Sequence, residues 1–140
     1  MKRRLWSGGT APASRNHGYI LNDVKQIKAD DYYTPVVGEF EHVVLMALMR
    51  LGNGTYGAAI RREIRERTGR DASAGTVHMT LARLEDKKMI VSYVGNPSPQ
   101  RGGRRRRHYL LHTAGEKALG RAYRAFIAMA EGHETQLASL

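Results

Sequence analysis

The chain of 140 residues contains no cysteine. This absence excludes a disulfide framework, a thiolate nucleophile and a zinc site built from cysteines. The sequence also lacks an apolar run of about 18 residues, so we expect no membrane span. Its start, from Met1 to Ser14, has no apolar stretch of the kind that secretory signals contain. We therefore expect a protein of the cytoplasm.

Acidic residues are scarce relative to basic ones. The chain has 13 Asp and Glu against 23 Lys and Arg, for a formal net charge of +10. An excess of this size predicts a polyanionic partner. Half of the excess, five arginines without any acid, lies between residues 96 and 112. Any proposed function must account for this segment.

The composition predicts three parts. Ser, Gly, Thr, Pro and Asn cluster in the first half of residues 1–35, which predicts a partly disordered N-terminal extension. An apolar stripe from Ile20 to Ile27 fits a short helix within it. We expect residues 36–112 to form the main domain and residues 113–140 to form a C-terminal helix and tail.

Three helices are predicted at the start of the main domain, because apolar residues repeat there at helical spacing. The first two end at Gly52 and Gly69, since glycine adopts the left-handed conformation that closes many helices. Thr55 or Tyr56 opens the second. The third spans residues 73–87 and is capped by Asp71 or Ser73. Its inward stripe is Val77, Leu81 and Leu84.

The pattern then changes to that of a β-hairpin. The β-branched and aromatic run Ile90–Val94 predicts one strand, and His108–Leu111 predicts the returning strand. Two prolines in the intervening loop require a long tip. Thr113 and Glu116 match a capping box that opens a last helix. This order predicts an α+β, mainly helical fold: a winged helix-turn-helix followed by a C-terminal dimerisation helix.

The third helix has the properties of a helix that enters a DNA major groove. Its side away from the core carries Met79, Ala82, Arg83 and Asp86, and its flanks carry Thr76, His78 and Thr80. An arginine can read guanine or contact a phosphate, and threonine and methionine can touch a thymine methyl. The same residues also suit an ordinary surface helix of a small domain.

The hairpin favours the DNA interpretation. It carries Arg101 and the run Arg104–Arg107, directly after the candidate recognition helix. Guanidinium groups bind phosphates through two hydrogen bonds and enter narrow minor grooves. Successive strand residues point to opposite faces, so the arginines cannot all serve one surface. A solvated charge run is the alternative interpretation.

A series of short fragments carries a resemblance to a known family. In chain order they are Gly38-Glu39-Phe40-Glu41-His42, Arg50-Leu51-Gly52, Tyr56-Gly57, Arg67-Thr68-Gly69-Arg70, Ser73-Ala74-Gly75-Thr76-Val77, Leu81-Ala82-Arg83-Leu84-Glu85, Gly102-Gly103-Arg104-Arg105 and Ala114-Gly115. In this order they resemble the PadR family of bacterial transcriptional regulators, over roughly Gly38 to Met129. The resemblance implies a homodimeric DNA-binding repressor with a recognition helix starting near Ser73 and an arginine-bearing wing.

The resulting predicted DNA-binding residues are Tyr56, Ser73, Thr76, His78, Met79, Thr80, Arg83, Arg101, Arg104, Arg105, Arg106 and Arg107. Some positions depart from the family pattern. His78 stands where the family usually has tyrosine, and Lys88 stands where a glycine is common. His112-Thr113 replaces a Thr-Pro-like entry to the last helix. The single C-terminal helix resembles the short members of the family.

The last helix has an apolar stripe that suggests a homodimer. This stripe could belong to the core or to a partner surface. A helix leaving a small winged-helix body is poorly covered by its own chain, so we expect a second copy to cover it. The predicted dimerisation residues are Leu119, Tyr123, Phe126, Ile127 and Ala130. A small apolar or aromatic effector could lie between the helices, although no polar residue identifies one.

Other classes of function find less support. His108 and His112 lie about 13 Å apart on a strand, too far to share a metal ion. No phosphate-binding loop and no catalytic set stands out, so we expect neither an enzyme nor a cofactor. Two binding alternatives stay open. One is a non-specific nucleic-acid-binding accessory protein that uses the same basic hairpin, and the other is a module whose arginines meet an acidic protein.

Overall fold

A computed structural model of the chain describes residues 35–96 and 105–140. Contacts divide the chain into two units, Met1–Val36 and Val37–Leu140, and the fold below is that of the second unit. The predicted extension, apart from Pro35, and its short helix lie outside the described residues. Arg101 and Arg104 of the predicted wing also lie outside them.

The described residues form a mostly helical unit with one small antiparallel sheet. In chain order the elements are α1 (Glu39–Leu51), β1 (Thr55–Tyr56), α2 (Gly57–Thr68), α3 (Ala74–Asp86), β2 (Ile90–Val94), β3 (Arg107–Leu111), α4 (Thr113–Ala130) and α5 (Glu134–Ala138). Three helices, a hairpin and a further helix are the order expected of a winged helix-turn-helix. The predicted fold class is confirmed.

The sheet has the strand order β1-β3-β2, with β3 in the centre. Tyr56 and Tyr93 both pair with His108, so these three residues form one row across the sheet. Strand β1 was not predicted, because a run of two residues shows no periodicity. Thr55 pairs with Tyr109 in β1, and Tyr56 is both the end of β1 and the N-cap of α2.

The core lies where α1, α2 and α3 meet the inner face of the sheet. The predicted stripe of α3, Val77, Leu81 and Leu84, is buried against α1 and α2. Leu119 of α4 also belongs to this core, with only 4% of its surface exposed. Its predicted place at a dimer seam is therefore wrong. The reason is that Leu119 lies in the second turn of α4, where this helix still packs on α1.

Helix α4 begins one residue earlier than the capping-box pattern predicts. His112 is the N-cap, and its Nδ1 accepts the amide of Ala114 at 3.4 Å, so Thr113 is already helical. The first turn of α4 and the backbone just before β2 lie close together here. A Cβ atom at Gly115 would collide with the carbonyl oxygen of Met89 and lie 2.8 Å from Leu111 Cδ1. Glycine at this position therefore lets α4 pack directly on the backbone before β2.

Lys88, between α3 and β2, has a φ of +62°. This left-handed conformation costs little for glycine but is strained for residues with a Cβ. It reverses the chain so that the amide of Met89 donates to the carbonyl of Leu84 at 3.0 Å. The glycine that is common at this position in the PadR pattern fits the conformation that Lys88 adopts here.

Candidate nucleic-acid interface

Helix α3 presents an exposed face that begins at its N-cap. The Ser73 hydroxyl accepts the amide of Thr76 at 3.0 Å, which fixes the first turn. Thr76, His78, Met79 and Arg83 are all exposed, Met79 by 57%. Small residues beside them leave the start of the helix slim. The predicted face of α3 is thus present, with one exception.

The exception is Thr80, whose side chain is fully buried. It lies between Val77 and Leu84 on the inward stripe. Its hydroxyl donates to the carbonyl of Thr76 at 2.8 Å and accepts a hydrogen bond from Arg83 Nη2 at 3.3 Å. Direct contact of Thr80 with DNA, as predicted, is therefore wrong. The residue instead helps to hold the Arg83 side chain.

A hydrogen-bonded relay connects α3 to the base of the hairpin. Ser92 Oγ of β2 donates to Glu85 Oε2 of α3 at 2.7 Å. Arg107 Nη1 of β3 donates to Ser92 Oγ at 2.8 Å. One hydroxyl therefore links both strands of the hairpin to the helix. This relay is one of the contacts that hold the hairpin against α3.

The outer face of the sheet holds Arg106. Its guanidinium carbon lies 3.9 Å from the centroid of the Tyr56 ring, within the range of a cation–π contact. His108 stacks on Tyr93 at 5.2 Å and meets the edge of Tyr56 at 6.3 Å. The His108 Nδ1 also lies 2.6 Å from the carbonyl oxygen of Gly54. Tyr56 thus acts as a platform for a wing arginine.

A cleft of about 1090 Å³ lies between α2, α3 and β3. It brings together the predicted residues Tyr56 and His78 with Arg105, Arg106 and Arg107 of the wing. Ser73, Thr76, Met79 and Arg83 are not among its lining residues. The cleft is a strongly cationic concavity, because it is lined by six arginines: Arg61, Arg62, Arg65, Arg105, Arg106 and Arg107.

The three arginines of α2 were not among the predicted DNA-binding residues. Arg61, Arg62 and Arg65 share one face of the helix, because residues three and four apart are neighbours on its surface. The sequence does show that these three arginines share a helix face. It does not show that this face lies toward the hairpin, because the position of α2 relative to β3 depends on the packing of the whole unit.

The buried carboxylate of Glu41 holds the C-terminal end of α3. Glu41 of α1 accepts hydrogen bonds from Lys87 Nζ at 2.8 and 2.9 Å and from the Gly38 amide at 2.6 Å. Arg83 Nε lies 3.8 Å from the same carboxylate. Burial raises the pKa of Glu41, but the hydrogen bonds from Lys87 and Gly38 and the nearby cationic charges outweigh it. The pKa of Glu41 is therefore lowered from 4.5.

The second half of α4 exposes an apolar face. Tyr123, Phe126 and Ile127 are 64%, 76% and 55% exposed, and Ala130 is half-buried. Met129, which was not among the predicted residues, is exposed as well. Four of the five predicted dimerisation residues therefore lie outside the core.

Two further structural features bear on function. Within residues 35–96 and 105–140, no group of three or more His, Asp or Glu side chains is placed to hold a metal ion. In the same part of the chain, no helix is both long and apolar enough to cross a membrane.

Comparison with known proteins identifies a family. The model of the transcriptional regulator PadR-like family matches residues 44–121. None of the curated proteins matches the chain significantly. A PadR family transcription regulator from Clostridium difficile R20291 is 27% identical, with a TM-score of 0.60, over 71% of this chain and 99% of that one.

Two more solved structures share the fold. A PadR family transcriptional regulator from Eggerthella lenta is 16% identical, with a TM-score of 0.55, over 91% of this chain and 97% of that one. F93 from STIV, a winged-helix DNA-binding protein, is 21% identical, with a TM-score of 0.53, over 66% of this chain and 91% of that one. Because the family match covers more than half of the sequence, the chain belongs to the PadR-like family of transcriptional regulators.

Proposed function

We propose that this protein is a sequence-specific DNA-binding transcriptional regulator that acts in the cytoplasm as a homodimeric repressor. It would bind a palindromic operator through the helix at residues 73–87 and the wing at residues 95–107. The observation that carries the proposal is the relay from Glu85 through Ser92 to Arg107. It joins the exposed face of α3 and the arginine-bearing strand in one unit.

The exposed side chains divide into two roles. Arg83, Thr76, His78 and Met79 extend from a slim helix and would contact base edges in the major groove. The arginines of the wing would contact phosphates or enter the adjacent minor groove. Base contacts supply sequence preference, whereas phosphate contacts supply affinity that falls with salt.

The apolar face of α4 supports a homodimer. Tyr123, Phe126, Ile127 and Ala130 would meet the same face of a second copy, since most soluble oligomers are symmetric dimers. A two-fold axis would place two recognition helices about 34 Å apart, which suits a palindrome with one half-site per copy. Repression would follow where the operator overlaps a promoter. A small apolar or aromatic effector between the helices would act by favouring another dimer geometry.

The proposed division of the chain follows from these roles. Residues 36–112 would form the DNA-binding domain and residues 113–140 the dimerisation helix and tail, with residues 1–35 as an extension. Arg101 and Arg104 stay part of the proposed wing.

A second candidate function rests on the arginine-lined cleft. A concavity lined by six guanidiniums would attract any nucleic-acid backbone, without regard to sequence. The protein would then be a non-specific nucleic-acid-binding accessory protein.

A footprint separates the two functions. The full chain is mixed with DNA from upstream of its own gene at two salt concentrations, with mixed-sequence duplex as competitor. A repressor protects two symmetric half-sites and withstands the competitor. Uniform, competitor-sensitive protection without half-sites would instead support the non-specific function. Sedimentation of the same protein measures the dimer, and Phe126→Glu should convert it to a monomer.

A further inference from the structure

The α2 helix contributes a second set of cations to the arginine-lined cleft. Arg61, Arg62 and Arg65 line it from one side, and Arg105, Arg106 and Arg107 of the wing line it from another. His78 of α3 lies in the same lining. A duplex that rests on α3 and the wing would therefore bring one phosphate backbone to this face of α2.

The three α2 arginines differ in how firmly the protein itself holds them. Arg61 Nε donates to the Ala72 carbonyl at 2.6 Å, and its Nη2 lies 3.2 Å from Asp71 Oδ1. Arg65 Nη1 lies 3.9 Å from the same oxygen, which is an ion pair without a hydrogen bond. Arg62 is exposed, and among the described residues no acid pairs with it. The Arg61 side chain is thus held by the loop before α3, whereas the side chains of Arg62 and Arg65 can reorient to bind a ligand.

From this difference we infer that Arg62 and Arg65 are phosphate-binding residues, which extend the DNA contact beyond the recognition helix and the wing. Arg61 instead positions the turn between α2 and α3. Asp71 competes with phosphate for Arg65, because its carboxylate is exposed and its contact with Arg65 is loose. The inference rests on the proposed binding of duplex DNA.

The salt dependence of binding tests the inference directly. Each phosphate contact contributes a slope of about −0.9 to log K against log salt, so a fourfold rise in salt weakens binding by about 3.5-fold per contact. The probe is a labelled mixed-sequence duplex of about three helical turns, or about 30 base pairs. Arg62→Ala and Arg65→Ala should each make the slope shallower by about 0.9.

Arg67→Ala is the matched control. Arg67 lies on the same helix but pairs with Glu63 at 3.0 Å and does not line the cleft. Its replacement should leave the slope unchanged. Arg62→Lys keeps the charge and should keep the wild-type slope. Asp71→Asn should strengthen binding at a given salt concentration without changing the slope, because it removes the carboxylate that competes with phosphate for Arg65. Thermal unfolding of each variant confirms that the proteins compared are folded.

The outcomes separate the inference from the proposed function. If the wild-type protein binds the duplex but Arg62→Ala and Arg65→Ala keep its slope, the inference fails and the DNA-binding function stands. If Arg67→Ala changes the slope as much as Arg62→Ala does, the specific role of the cleft face fails. If the wild-type protein does not bind the duplex even at low salt, the proposed function itself fails.

Discussion

Glu41, at the start of α1, accepts two hydrogen bonds from Lys87 at the end of α3, and this contact connects residues 46 positions apart. The carboxylate also accepts the Gly38 amide and lies near Arg83. One buried group therefore caps the first helix and fixes the last turn of the recognition helix.

Replacing Glu41 with glutamine should destabilise the protein by about 2 kcal/mol at neutral pH. Glutamine can still cap α1, but it loses the charge that Lys87 faces, and hydrogen bonds to charged groups contribute about 1.5–3 kcal/mol. Urea unfolding followed by circular dichroism measures the difference. Glu39→Gln is the matched control, because the pair of Glu39 with Arg70 is exposed and contributes at most about 1 kcal/mol.

The effect of Glu41→Gln should depend on pH in a defined direction. The folded-state pKa of Glu41 is lowered from 4.5, so its contribution is fully present above that value and is lost as the pH falls through the folded-state pKa. The stability gap between wild type and variant should shrink in acid. The pKa of Glu63 is lowered by hydrogen bonds from Arg50 and Arg67. Glu63 is present in both proteins, so its contribution cancels from the difference in stability between them. A gap that widened in acid would contradict the assignment.

Gly115→Ala should destabilise the protein by about 2–3 kcal/mol. The added methyl group meets the Met89 carbonyl oxygen, which cannot move without disturbing the start of β2. Gly120→Ala in the same helix is the control. Its Cβ would meet only the flexible end of Arg124, so removing a helical glycine should stabilise the protein by up to about 1 kcal/mol. Equal effects of the two substitutions in thermal unfolding would refute the close contact at Gly115.

Lys88→Gly should stabilise the protein by about 0.5–1 kcal/mol. The left-handed φ of Lys88 costs about 1–2 kcal/mol for a residue with a Cβ, and the greater freedom of glycine in the unfolded chain offsets part of this gain. Lys88→Ala removes the same charge but keeps the Cβ, so it should not stabilise. Urea midpoints of the two variants give the comparison, and a stabilised alanine variant would show that the charge, not the backbone, matters.

Ser92→Ala should weaken duplex binding without changing sequence preference. It removes the hydroxyl that connects Glu85 to Arg107, so the wing is held less firmly against α3 while the base-contacting residues of α3 stay in place. A loss of about 1 kcal/mol corresponds to about fivefold weaker binding. Fluorescence anisotropy with the labelled duplex measures it. Ser139→Ala, which removes a hydroxyl from the exposed C-terminal end, should bind as the wild type does.

The sequence predicted the elements that carry strong local signals. Ser73, one of the two caps considered for the third helix, is the N-cap of α3. The stripe of Val77, Leu81 and Leu84 is buried, and both strands of the hairpin lie where the sequence pattern predicts them. Each signal is local, because capping and amphipathic spacing act within a few residues. The PadR resemblance, carried by short fragments in order, is confirmed over residues 44–121.

The errors have a different physical origin. Thr80 was predicted to contact DNA and Leu119 to contact a second copy, although tertiary packing buries both. Helical spacing shows which residues share a face, but it does not show how far a neighbouring element covers that face. The same limit explains why the contact between Glu41 and Lys87 and the cleft arginines of α2 were not predicted. Both depend on how distant segments pack, which no local pattern records.

The aromatic row across the sheet restricts how this regulator could change shape. His108 contacts Tyr56, Tyr93 and the carbonyl of Gly54, so it connects the base of the hairpin to the start of α2. A hinge between them would require breaking the stack and the hydrogen bond at once. A change of shape that keeps these contacts would therefore move the hairpin and the start of α2 together.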